Sequence, residues 1–214
     1  MRWDRAGYSH LSRLASDAPE KTSVRRTPSI ELWDENVPND KITAMSEYLE
    51  DVSANYVIHK ILVDMFQFRT LPLDQLPEGV QFGASYTTLT INAPKHLLYL
   101  FQRLQDDYGV RFIRQKVPDI RAAFVDPNTA IVFNCVGNAA RQLPGVADAK
   151  CYPTRGQVLL TIAPKVYTNI MRHGKDYETY VIPRPNTAGH VILGGYMQKG
   201  RRYLWSREAT LLLN

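Results

Sequence analysis

Apolar and polar positions repeat with two different periods along this chain. Residues 4–15 predict a helix, with Leu11, Leu14 and Ala15 on one face and Asp, Arg and Ser on the other. Residues 17–27 are polar and read as a loop, and residues 29–33 alternate as a short strand. Residues 34–41, with Pro38 and three acids, form a connection. The pattern over 45–57 is ambiguous, and 58–68 leads into a strand around 64–69. Residues 71–77 make a short helical turn between prolines.

The second half is more regular. Residues 79–89 are strand-like. Asn92 is placed to cap the next helix, and Pro94 fits its first turn, where a missing N–H costs nothing. Leu97, Leu100, Phe101, Leu104 and Tyr108 then fall on one helical face, and Gly109 stops the helix. Residues 110–117 alternate as a strand, and 120–124 form a short helix. Residues 129–136 are a continuous apolar run, the pattern of a strand buried on both faces. Gly137 ends that run, and 138–143 restart a helix. Strands follow at 156–163, 178–184 and 190–197, and 205–213 begin a further helix. Strands and helices mix without strict alternation, so the fold class is α/β (α+β), a mixed sheet with helices packed on it.

Composition narrows the picture only a little. At 214 residues the chain is long enough for one large or two small domains with a core of useful size. The formal charge of +5 is scattered, its densest clusters being Arg25-Arg26 and Lys199-Gly200-Arg201-Arg202. A nucleic-acid surface needs a denser stripe or a known module, so no nucleic-acid partner is expected. Two cysteines make no disulfide framework; Cys135, inside the apolar run, reads as a buried free thiol. No run of 18 apolar residues occurs, and the first residues lack the apolar core of a leader, so no membrane partner is expected. His10, His59, His96, His173 and His190 have no metal-ligand spacing and read as packing or surface residues, with His96 partly exposed.

Three segments could carry chemistry. At 131–143 a strand ends in Gly137 and a helix follows at once, which lets backbone approach a ligand; the same pattern also fits a plain buried strand and tight turn. In Tyr180-Val181-Ile182-Pro183-Arg184-Pro185 the tyrosine presents a hydroxyl from an apolar wall, suited to one carboxylate oxygen, or simply packs. In Gly194-Gly195-Tyr196 the paired glycines allow close backbone approach to a flat ring.

Together these motifs resemble the D-amino-acid oxidases, a family of FAD-dependent oxidoreductases. Phe133-Asn134-Cys135-Val136-Gly137 resembles the family's V-N-[AC]-T-G, whose backbone touches the FAD. Val136 departs from it, because a small hydroxyl residue is usual there. The run ending in Lys116-Val117 resembles the segment over the adenine side. The resemblance therefore implies Val117, Cys135, Val136 and Gly137 as cofactor-binding residues. It implies Tyr180 as the substrate-carboxylate residue, with Tyr196 and Tyr177 as the next candidates for an aromatic wall. Arg155-Gly156-Gln157 matches a segment that braces the strand beneath the flavin. The likeness is close and in order over 79–200 and loose over 1–60.

On this basis residues 1–60 and 110–150 are expected to supply part of a Rossmann-like FAD domain. Residues 61–109 and 151–205 are expected to supply the mixed-sheet substrate domain. The implied reaction is oxidation of a D-amino acid, with hydride passing from the α-carbon to the flavin and O2 reduced to hydrogen peroxide. A D-aspartate oxidase and a non-catalytic binding module of the same fold are the alternatives. A homodimer and a peroxisomal or cytoplasmic location are what the resemblance allows. Two family features are missing: no Gly-x-Gly-x-x-Gly occurs, nor the G-[LF]-R-P arginine that pairs with the substrate carboxylate. The chain is thus expected to be a central fragment that holds FAD weakly on its own.

Overall fold

A computed structural model describes residues 2–45 and 68–199, with side chains over 6–45 and 68–195. The expected strand around 64–69 falls partly outside these residues, and the expected helix at 205–213 wholly so. The chain divides into two compact units, residues 1–110 with 158–196 and residues 111–157 with 197–214.

The elements are α1 (Arg2–Asp17), α2 (Pro19–Thr22), β1 (Val24–Trp33), β2 (Arg69–Thr70), β3 (Phe82–Ile91) and α3 (Ala93–Asp106). They continue with β4 (Thr154–Ile162), β5 (Asn169–His173), β6 (Glu178–Pro183) and β7 (His190–Lys199). One mixed sheet of seven strands results, in the order β2-β3-β1-β5-β6-β7-β4.

β1 is the organising strand. It runs antiparallel to β3 from Val24–Ile91 to Trp33–Phe82, and parallel to β5 from Ser29–Asn169 to Trp33–His173. Pro28 stands one residue before the second ladder begins. There β1 has a single neighbour, the edge-like setting in which a strand tolerates a missing N–H. Val24, Leu32 and Trp33 of β1 are buried, as are Ala84 of β3 and Val191 of β7. Full burial of a side chain such as Val24 contributes about 1.5 kcal/mol or more. Buried hydroxyls and amides on the sheet are paired, as low-dielectric surroundings require: Thr27 Oγ1 lies 2.6 Å from Thr90 Oγ1, and Asn169 Nδ2 donates to Ser29 Oγ at 2.7 Å. Arg26 ties β1 to α1, donating to the Ser12 carbonyl and hydroxyl at 3.1 Å each and to Ser16 Oγ at 2.6 Å.

Opposed residues of neighbouring strands share a face of the sheet. Ala84, Glu31, Met171, Tyr180 and Gly194 therefore form one row across β3, β1, β5, β6 and β7.

Several expectations are corrected. Residues 24–27 are strand rather than loop, and Pro19–Thr22 are helical. β5 was not anticipated at all, since Asn169, Arg172 and His173 break its apolar pattern. Residues 110–117 and 129–136 form no strand among the described residues. Nor is the apolar run buried: Ile131 is 66% and Phe133 80% exposed, and Cys135 is exposed too. An apolar run implies a cover but cannot supply one, and a strand needs a ladder partner. The helix after Gly137 is one short 3₁₀ segment, Gly137–Arg141.

α3 has its expected limits, and Gly109 ends it at φ +62°, but its leucine face is exposed. The buried residue is Tyr99, and His96, half-buried as expected, lies 2.7 Å by Nδ1 from the Thr22 carbonyl oxygen. Period locates a face; it does not say which neighbour covers it. Asn92 takes the cap position without a side-chain capping bond, and its amide Nδ2 donates to the Pro185 carbonyl at 3.0 Å.

Candidate functional site

β6 and β7 put the first candidate together. Their ladder pairs Tyr180 with Gly194 and Pro183 with Val191. A Cβ at Gly194 would stand 2.5 Å from the Tyr180 hydroxyl oxygen and nearer still to the ring. The phenol therefore occupies the space that any side chain at 194 would need. Gly195 is required for a second reason: φ is +129°, and a Cβ there would sit 2.8 Å from Thr179 Cα and clash with the Glu178 carbonyl. Gly194 thus leaves the space that the tyrosine fills, and Gly195 lets the backbone of β7 pass close to β6. Tyr180 is half-buried, and its hydroxyl makes no hydrogen bond among the described residues.

Tyr177 is placed otherwise. Its hydroxyl donates to Asp34 Oδ2, and its ring packs on Gly174, where a Cβ would meet it. Arg172 Nε donates to the other oxygen of Asp34 at 2.8 Å, and its Nη2 to the Glu78 carbonyl at 3.2 Å. The Tyr177 hydroxyl first, then Arg172, holds the Asp34 carboxyl below its ordinary value; the same bond raises the Tyr177 phenol. Tyr196 lies on β7, and its side chain falls outside the described residues.

The face that carries Tyr180 also carries a polar chain that was not foreseen. Tyr86 donates to Glu31 Oε1, Glu31 Oε2 lies 3.6 Å from His173 Nε2, and His173 Nδ1 lies 3.9 Å from Glu178. Trp33 stacks on His173, ring centroids 5.0 Å apart. Burial, reinforced by Glu31, pushes the Tyr86 phenol well above the ordinary range. The alternation of polar residues along β1 and β5 was the available signal, but single histidines and acids do not reveal such partners.

The second unit holds the cofactor candidates. A cavity of about 630 Å³ is lined by Val117, Ile120, Val132, Phe133 and Val136, with Lys116 among its polar residues. Val117 and Val136 are thereby brought together; Cys135 and Gly137 adjoin the lining in sequence without being part of it. Asn134 Oδ1 accepts from the Val136 N–H at 3.4 Å, and Gly137 turns at φ +57° with open space where a Cβ would be. Asp119, between the lining residues Pro118 and Ile120, accepts from the Arg121 backbone at 2.8 Å and pairs with the Arg121 guanidinium, which holds its carboxyl down at about 2.

The family model described as FAD dependent oxidoreductase (DAO) matches residues 1–212. The chain belongs to this family. It is 36% identical over 209 residues to a D-amino-acid oxidase of Schizosaccharomyces pombe, covering 97% of this chain and 54% of that protein. It is 38% identical over 200 residues to a D-aspartate oxidase of Homo sapiens, covering 93% of this chain and 51% of that protein. A glycine oxidase from Geobacillus kaustophilus shares the fold at a TM-score of 0.56 and 15% identity, over 95% of this chain and 57% of that one. The chain spans about half the length of the curated relatives it matches.

The family's cofactor can be tested against these residues. The cavity's volume and apolar wall suit a flat ring system. No glycine-rich phosphate turn occurs in the sequence. The lining of this cavity therefore fits a flat ring such as those of FAD. Among the described residues no group of acids, histidines or cysteines could hold a metal, and no helix is long and apolar enough to cross a membrane.

Proposed function

We propose that this chain supplies the substrate-facing sheet and one flank of the cofactor cavity of an enzyme that oxidises D-amino acids. The observation that carries the reading is the Tyr180 phenol lying on Gly194 with its hydroxyl uncommitted. A half-buried O–H without an internal partner is suited to one oxygen of a substrate carboxylate. Tyr177 donates its hydroxyl hydrogen bond to Asp34 and serves as a brace for the end of β1. Tyr196, next to the glycine pair, is the aromatic wall in this reading.

Bound FAD supplies a two-electron acceptor for the α-carbon hydride, and O2 then accepts those electrons to give hydrogen peroxide. Val117 and Val136 hold its apolar part, with the backbone at Cys135 and Gly137 beside them. The protein's share is orientation: the Tyr180 hydroxyl would fix the carboxylate end of the substrate. In the same reading residues 61–109 and 151–205 serve the substrate, and 110–150 the cofactor. The segment 1–60, assigned by resemblance to the cofactor side, contributes β1 to the sheet.

The test is calorimetric titration of the purified chain with D-alanine and D-aspartate in excess FAD. Tyr180→Phe should weaken binding about tenfold, the scale of one hydrogen bond to a charged group. Tyr177→Phe should leave affinity unchanged. Equal affinity of wild type and Tyr180→Phe would contradict the reading. Tighter binding of D-aspartate than of D-alanine would move the substrate to the acidic class.

A further inference from the structure

The first unit holds a cationic cleft unrelated to Tyr180. Two adjoining cavities, of about 890 and 300 Å³, share Arg25, Arg184, Thr187 and His190 in their walls. The larger adds Lys95 and the start of α3 at Asn92 and Pro94. The smaller is walled by Pro28, Pro164, Val166, Pro183 and the ring of Tyr167, an exposed aromatic. Arg25, Lys95 and Arg184 pair with no carboxylate among the described residues, and Glu20 is the one acid in the lining.

The floor of this cleft is tied by hydrogen bonds. Asn186, at φ +55°, donates its amide to the carbonyls of Pro19 and Glu20 at 3.1 and 2.7 Å and to Ser23 Oγ at 3.1 Å. Thr187 Oγ1 donates to the Arg184 carbonyl at 2.8 Å and accepts from the His190 N–H at 3.0 Å. Lys95 Nζ uses one of its three donors on the Asn186 carbonyl. The cations therefore stand on a preorganised platform rather than on loose loops, and the first turn of α3 adds its dipole.

We infer that this cleft binds a nucleoside phosphate, the phosphate between Arg25, Arg184 and Lys95 and the base against Tyr167 and the prolines. Guanidinium groups match phosphate oxygens bidentately, and a base stacks on a tyrosine face. One cavity supplies the charge and its neighbour the apolar wall, so an anion with an attached ring fills both. The inference is independent of the oxidase reading.

The experiment is titration of the full chain with uridine monophosphate and, separately, inorganic phosphate. Uridine monophosphate should bind more tightly than phosphate. Arg25→Gln and Arg184→Gln should each weaken it about tenfold, the scale of a charge-assisted contact. Arg13→Gln, which removes an exposed charge from α1, should leave it unchanged. Tyr167→Ala should abolish the preference over phosphate, with the thermal midpoint of every variant unaltered. No binding at millimolar ligand would overturn the inference. So would equal affinity for the two ligands, or binding indifferent to both arginine substitutions.

Discussion

The Tyr180 phenol lies on the bare α-carbon of Gly194, its opposed partner across β6 and β7. Two residues far enough apart in sequence to look unrelated are thus one device: the glycine makes the place the tyrosine fills. Gly194→Ala should force the ring away, costing about 1–3 kcal/mol as overpacking does, and should abolish the binding that depends on Tyr180. Urea unfolding with ligand titration checks both. A variant of unchanged stability and affinity would show that the ring is not held by the glycine.

Asp34 predicts how stability responds to acid. Tyr177 and Arg172 hold its carboxyl below the ordinary 3.8. A lowered value in the folded state means that protonation favours the unfolded chain. The stabilisation is whole above the ordinary value and is lost as pH falls through the lower one. As pH falls below about 4, the wild type should lose stability more steeply than Asp34→Asn. Urea midpoints across that range measure it, and parallel curves would refute it.

Thr27 and Thr90 test the buried polar part of the sheet. Their hydroxyls meet at 2.6 Å and both residues are buried. Thr27→Val should cost about 1–3 kcal/mol, because the Thr90 hydroxyl is left without a partner. The double variant with Thr90→Val should recover part of that loss, since no polar group is then stranded. Chemical denaturation of the three variants decides it.

Much of this was legible in the sequence, and the failures share one cause. The turn at Gly109, the strands around Tyr180 and the glycine pair were readable because local chemistry alone dictates them. The run 129–136 was misread as buried, and the leucine face of α3 gave no sign of being open, because period and apolarity say that a surface seeks cover but not where the cover is. The chain of Tyr86, Glu31, His173 and Glu178 was invisible because it joins β3, β1, β5 and β6, and pairing between distant strands leaves no local trace.

That uncovered surface predicts association. Leu97 is 65% exposed, and Leu98, Leu100, Phe101 and Leu104 of α3 are exposed with it. Apolar area of this kind marks a surface that joins another. Sizing at rising concentration should show growth in mass, and Leu97→Lys with Phe101→Lys should reduce it. A concentration-independent monomer would contradict the expectation.

The account rests on the Tyr180 hydroxyl being the point where a small carboxylate is received. Its most direct test is an NMR titration of chain labelled with ¹³C at the tyrosine ζ-carbons, with D-alanine added in excess FAD. The Tyr180 signal, assigned by its loss in Tyr180→Phe, should shift on saturation while that of Tyr177 stays in place. A Tyr180 signal that does not move as ligand binds would contradict it.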